Sequence, residues 1–273
     1  MSELTAGMWI RLAASTNALE QVFWYGTKTL DSTKRMANIM TSKRALRKTF
    51  IEKVTEALSA LGFERRIDLG ADGEFWFARS AGAMDLEESV RIIFVPGRLD
   101  SVGTLCTVQI ISRDVGVILR DLPDDAKLKR LVGEPDSGEY YSTVCIEPAA
   151  SLTGSNSAIS GPEIFNKDEL GAAVTWVETF VSSTATDWFQ KRNSLARLVE
   201  IAQEPSPGTP DNIVPGLFRA TVALCAIGGD YATADRLIMW YRNRSSYNFF
   251  DSKERFSEFT KGLKREFPEL TID

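Results

Sequence analysis

The chain has 273 residues, 44% hydrophobic and 25% charged, with a formal net charge of −5. Folding at this length buries roughly 73% of the extended surface, so neither a disulfide nor a metal is needed to hold a core. Disordered, collagen-like and coiled-coil classes are excluded, and an ordinary soluble globular protein is expected. Histidine is absent. Its absence removes Ser-His-Asp and Cys-His nucleophile pairs, His-ligated zinc or haem, and the usual general base near neutral pH. Cys106, Cys145 and Cys225 are far apart and form no CxxC, which predicts buried free thiols in a reducing cytosol. The opening MSELTAGMWIRLAAS lacks the basic and apolar regions of a signal peptide, and no run approaches the roughly 18 apolar residues of a membrane span.

Charge is unevenly placed. Residues 28–53 hold eight Lys and Arg against Asp31 and Glu52, whereas the rest of the chain is acidic. A basic element on an acidic body predicts two different surfaces.

The first forty residues read as helical in two pieces, with Leu19, Val22, Phe23 and Leu30 at helical spacing and Gly26 as a break. Met36, Ile39, Met40, Leu46, Phe50, Val54, Ala57, Leu58 and Leu61 share a sector about 120° wide, which predicts one helix over 33–61 closed by Gly62. The period then changes to two. Phe63, Arg65, Ile67 and Leu69 alternate with polar neighbours, residues 70–73 make a turn, and 74–79 return. Strands follow at 89–96 and 102–112, a short charged helix near 124–131, and a fifth strand over 139–147. The Ser/Gly/Asn stretch 149–161 is expected as a surface loop.

Asn166 with Glu169 has capping-box spacing ahead of Leu170, Val174, Val177, Phe180 and Val181. A short helix covers 194–203, and EPSPGTP at 204–210 is the clearest breaker. Beyond it, Pro215 opens a helix ending at Gly228–Gly229, Asp230 caps the helix 231–244, and Asp251 with Glu254 caps a last helix to Phe267. Trp240 and Tyr241 read as core packing. No internal repeat is present. Helix, hairpins, then helices predict an α+β fold: a mainly antiparallel sheet of about five strands with helices packed on one face, plus a C-terminal helical subdomain. The expected parts are a helical extension (1–40), an α+β domain (41–203) and a helical hairpin with a terminal helix (211–273).

No GxGxxG, Walker lysine loop, GxSxG or metal-spaced Cys/His cluster occurs, so no catalytic residue, cofactor or metal is expected. The string Pro123-Asp124-Asp125-Ala126-Lys127 resembles a nuclease motif but lies on one polar helix with the wrong spacing. Glu134, Asp136 and Glu139 read as a charged turn. Two candidate binding features stand out. Lys43, Arg44, Arg47 and Lys48, with Lys34 and Arg35, could meet phosphates, or could lay their stems over apolar surface. Trp76 must face away from Phe75 and Phe77. It either forms an open platform with Arg65 or Arg66 nearby, or is covered by the C-terminal helices.

The run FIEKVTEALSALGFERR, then FWFAR, then DWFQKRNSLARLVEIA and LFRATVALCAIGGDYATADRL, resembles the bacterial domain-of-unknown-function family 4304 over about residues 44–244. The resemblance implies a fold of this kind and a bacterial cytoplasmic protein, and it names no catalytic residue. By analogy the expected role is a non-enzymatic, immunity- or defence-type binding protein. Its partner would be another protein, or a second copy, met through residues 1–40. A nucleic-acid accessory role for the basic helix and a hydrolase or nuclease with an unrecognised carboxylate site are the alternatives. No membrane partner is expected.

Overall fold

The fold was obtained as a computed structural model. The structure describes residues 30–69, 73–82, 84–97, 101–122, 131–132, 141–155, 157, 159–205, 213–244, 247 and 251–272, with side chains from residue 43 onward except at 131–132. The chain divides into two compact units, Met1–Arg44 and Ala45–Asp273. The helical pieces expected before residue 30 lie outside the described residues. So does the association surface assigned to residues 1–40, apart from a helical backbone from Leu30.

Helix α1 runs Leu30–Ala60. From residue 45 onward its buried stripe is Leu46, Phe50, Ile51, Val54 and Leu58, the one-sided spacing of an amphipathic helix. It stops where the sequence predicts. Gly62 adopts φ +82, the amide of Gly62 donates to the Ser59 carbonyl, and Phe63 donates to that of Leu58, both at 3.0 Å. These bonds close the last turn in the left-handed conformation that glycine tolerates best. Arg79 reinforces the end by donating to the Leu61 carbonyl at 2.8 Å.

Among the described residues, β1 (Glu64–Arg66), β2 (Glu74–Ser80), β3 (Leu86–Pro96), β4 (Val102–Ser112), β5 (Leu131–Val132) and β6 (Tyr141–Pro148) form one sheet ordered β1-β2-β3-β4-β6-β5. Every pairing is antiparallel, and the fold is α+β. The long central strands β3 and β4 alternate cleanly, so even-numbered residues such as Val90, Ile92, Val108 and Ile110 enter the main core. A bulge between Ile110 and Ile111 lets Val144 and Cys145 both join that core.

Helix α2 (Arg113–Arg120) follows β4 directly, where the sequence suggests no helix. Ser112 accepts from the Val115 amide at 3.2 Å, and Asp85 accepts from the Arg113 and Asp114 amides at 2.9 and 3.0 Å. The helix thus starts on a cap supplied partly from the turn before β3, which local spacing does not display. The stretch 149–161 is also no simple loop. It begins with the turn α3 (Ala149–Leu152) and ends with Ser160 strapped to β4. The Ser160 amide donates to the Thr104 carbonyl at 2.7 Å, and Ser160 Oγ accepts from the Cys106 amide at 3.1 Å. Gly161 is required here, because a Cβ would sit 2.5 Å from the Trp176 ring.

A short 3-10 turn, Lys167–Glu169, leads into α4 (Leu170–Phe180), a π-helical turn Val181–Ala185 and α5 (Thr186–Gln190). Then come α6 (Leu195–Ile201), α7 (Pro215–Ile227), α8 (Tyr231–Arg242) and α9 (Lys253–Glu266). Helix α7 is buried at every position from Phe218 to Ala226, as expected of a helix apolar all round. It lies against β6, α2, α6 and α8. One apolar core runs from Leu46 to Ile272, with helices from both sides of residues 204–210 contributing.

Candidate functional site

The strand register places every odd residue of β3 on the face opposite the main core. Across that face the rows read Ser80–Glu87–Ile111–Thr143, then Ala78–Ser89–Gln109–Ile146, then Trp76–Arg91–Thr107–Pro148, then Glu74–Ile93–Leu105. A small separate cluster of Leu69, Trp76, Ile111 and Tyr141 lies here. Among the described residues no helix contributes to it.

Guanidinium groups cover this cluster. Arg91 lies 5.3 Å from the Trp76 ring centroid and Arg66 lies 5.0 Å from that of Tyr141. Each is held by carboxylates. Arg66 donates to both Asp68 oxygens at 2.9 and 2.6 Å, to Glu87 at 2.6 Å and to the Tyr141 hydroxyl at 2.5 Å. Arg91 donates to both oxygens of Glu74, which also accepts from Trp76 Nε1 at 3.3 Å. The Arg66 hydrogen bond holds the Asp68 carboxyl below its ordinary value, against the opposing effect of burial. Burial pushes the Tyr141 hydroxyl up, and the Arg66 bond only partly offsets this. Under the guanidiniums, Ser89, Gln109 and Thr143 are buried, with Thr143 Oγ1 donating to Gln109 Oε1 at 3.2 Å.

Beyond the ion pairs the same face turns apolar. Ile93, Val95, Leu105 and Pro148 are half-buried and Ile146 is 39% exposed. Ile67, expected to continue the alternation of Phe63 and Arg65, is 81% exposed, because β1 ends at Arg66. Apolar side chains left in water beside a polar, hydrogen-bonded border have the anatomy of a recognition surface.

The predicted site residues are dispersed. Trp76 faces away from Phe75 and Phe77, yet it is 2% exposed. Arg66 is its direct neighbour across the hairpin, as expected, Arg91 lays its guanidinium over the ring, and among the described residues no C-terminal helix joins its cluster. Arg44, Arg47 and Lys48 are exposed and Lys43 is half-buried. Lys48 sits 3.9 Å from Glu52 in an exposed pair, and Arg47 lies over Phe94 at 5.4 Å. Residues 123–130 and 133–140 lie outside the described residues, and with them the nuclease-like string and the acidic group. Among the described residues, no three His, Cys, Asp or Glu side chains are placed to hold a metal ion. No described helix is long and apolar enough to cross a membrane.

A second charged cluster is sealed in the core. Arg219 and Asp251 pair at 2% and 0% side-chain exposure. Asp251 also accepts from the Tyr241 hydroxyl at 2.8 Å and from the Ser252 amide at 2.9 Å. Burial lowers the Arg219 guanidinium from its usual value, with Asp251 opposing. The expected cap role of Asp251 is taken by Ser252, which accepts from Arg255 at 3.2 Å. Asp251 is withdrawn to satisfy a buried cation, whose desolvation would otherwise be costly.

Sequence reasoning singled out none of Asp68, Glu74, Glu87, Arg91 or Tyr141. The signal available was the polar alternation of Glu87, Ser89 and Arg91 within an apolar strand. Compared with family models, curated proteins and solved structures, the chain gives no match in any of the three.

Proposed function

We propose that this is a non-enzymatic binding protein acting through another protein, and that the partner docks on the sheet face opposite the helices. One observation carries the reading. Ile93, Leu105 and Ile146 stand half-exposed to exposed on that face, beside the ordered Arg66–Asp68–Glu87 and Arg91–Glu74 groups. An apolar centre with a rigid, hydrogen-bonded rim suits a protein surface that is itself apolar at its middle and polar at its edge. A bacterial cytoplasmic setting and an immunity- or defence-type role rest on the resemblance to family 4304 and on analogy.

The test pairs capture with chemistry. A partner taken from native cells should, once purified, bind wild type stoichiometrically and lose affinity at least about tenfold with Leu105→Glu or Ile146→Arg. Equal binding by both variants removes this face from the reading. Reproducible nuclease or phosphatase turnover with Mg²⁺, Mn²⁺ or Zn²⁺, abolished by one Asp or Glu substitution, overturns the non-enzymatic reading.

A further inference from the structure

On the other side of the sheet a different set of arginines is arranged. Arg47 of α1 lies 5.4 Å from the Phe94 ring centroid. Phe94 meets Phe75 edge-to-face at 5.5 Å, and Arg65 of β1 lies 5.3 Å from the Phe75 centroid. The contacts run in the order cation, ring, ring, cation. Both arginines are exposed and both rings are half-buried. All four belong to the second unit.

The contrast with the other stacked arginines of the sheet strands is chemical. Arg66, Arg79 and Arg91 are each bonded to a carboxylate. Among the described residues neither Arg47 nor Arg65 meets one, and the ring contact is the interaction each makes. A guanidinium laid against a phenyl ring keeps its in-plane N–H fork and its outer π-face available. The fork matches a phosphate in two-point fashion, and the outer face can carry an unpaired base.

We infer that Arg47, Phe94, Phe75 and Arg65 form a site for single-stranded nucleic acid. The arginines take phosphates of one strand, and bases stack on the outer faces of the guanidiniums. A single strand is specified rather than a duplex because stacking requires bases that are not already paired. Nucleic acid is favoured over an acidic protein because aromatic surface joins the two cations, whereas a carboxylate chain uses only the cations. The site stands apart from the proposed protein surface, which lies on the opposite face of the sheet.

Fluorescence anisotropy of a labelled oligothymidylate with the full chain tests this at low salt. Wild type should bind, with log affinity falling against log salt. Arg47→Gln with Arg65→Gln should weaken binding at least about tenfold and make that slope shallower by about 1.4, the share of two phosphates on a single strand. Arg47→Lys with Arg65→Lys keeps the charge but loses the planar fork, and should still lose severalfold. Unchanged melting curves establish that these exposed substitutions leave the fold intact. No binding by wild type at low salt, or equal binding by the Gln variant, overturns the site. Competition by poly-glutamate as effective as that by unlabelled oligothymidylate overturns the nucleic-acid assignment. A Lys variant indistinguishable from wild type overturns the role given to the stacked guanidiniums.

Discussion

The two faces of the sheet solve the same problem with different chemistry. On one, helices seal Phe77, Val90, Ile92 and Val108 into a continuous apolar core. On the other, Trp76 and Tyr141 are shielded mainly by two arginines tied to Asp68, Glu74 and Glu87. A helix layer excludes water by bulk, whereas a guanidinium layer excludes it while still offering charge and hydrogen bonds outward. Burial of an aromatic therefore does not by itself say which face is structural and which is available for recognition.

The largest contrast should appear in thiol chemistry. Burial pushes the thiols of Cys106, Cys145 and Cys225 up to about 12. A disulfide reagent at mildly alkaline pH should leave them untouched in the native protein and react with three thiols per chain after denaturation. Ile146→Cys, one residue from Cys145 but on the other face, should react on the order of a thousandfold faster than the native thiols. Comparable rates would erase the distinction between the faces at β6.

Packing should show the next difference. Phe77→Ala removes a ring from the sealed core and should cost about 3–5 kcal/mol in urea unfolding. Trp76→Ala deletes a larger side chain under a cover of arginine side chains rather than helices, and should cost less, about 3 kcal/mol at the low end of that range. A Trp76→Ala loss equal to or above that of Phe77→Ala would mean that both faces are covered to the same depth.

The charged cover itself should be worth less. Arg66 is half-buried, so Arg66→Gln should cost about 1–2 kcal/mol near neutral pH after allowance for solvent screening. Its pH signature has a definite sign. The Asp68 carboxyl is held below its ordinary 3.8, chiefly by the Arg66 hydrogen bond. A depressed folded value stabilises the protein above 3.8 and stops doing so as pH falls through the lower folded value. Urea midpoints of wild type and Arg66→Gln should thus stay apart near neutral pH and converge below about pH 4. A gap that persists there would assign the effect to packing on Tyr141. Lys48→Ala, breaking an exposed pair with Glu52, should change stability by less than about 0.5 kcal/mol.

Local periodicity made much of this molecule legible. The end of α1 at Gly62, the period-two strands, the starts of α7 and α8 and the α+β class all follow from hydrophobic spacing and capping residues. Those signals act within a few residues along the chain and need no knowledge of distant partners. Contacts between distant residues were decided elsewhere. Helix α2 depends on Asp85, Ser160 is fixed by β4, and Asp251 leaves its expected cap for Arg219. Trp76 receives Arg91 because the register of β2 and β3 sets those two residues opposite each other. Arg65 and Arg66 are neighbours in sequence, yet one stacks on Phe75 with its N–H groups open while the other is locked by Asp68 and Glu87. Alternation sends the two to opposite faces of the sheet, but which groups wait on each face is set by strands far away in sequence. The residue types were visible from the start; their partners arise only when the tertiary fold brings the strands together.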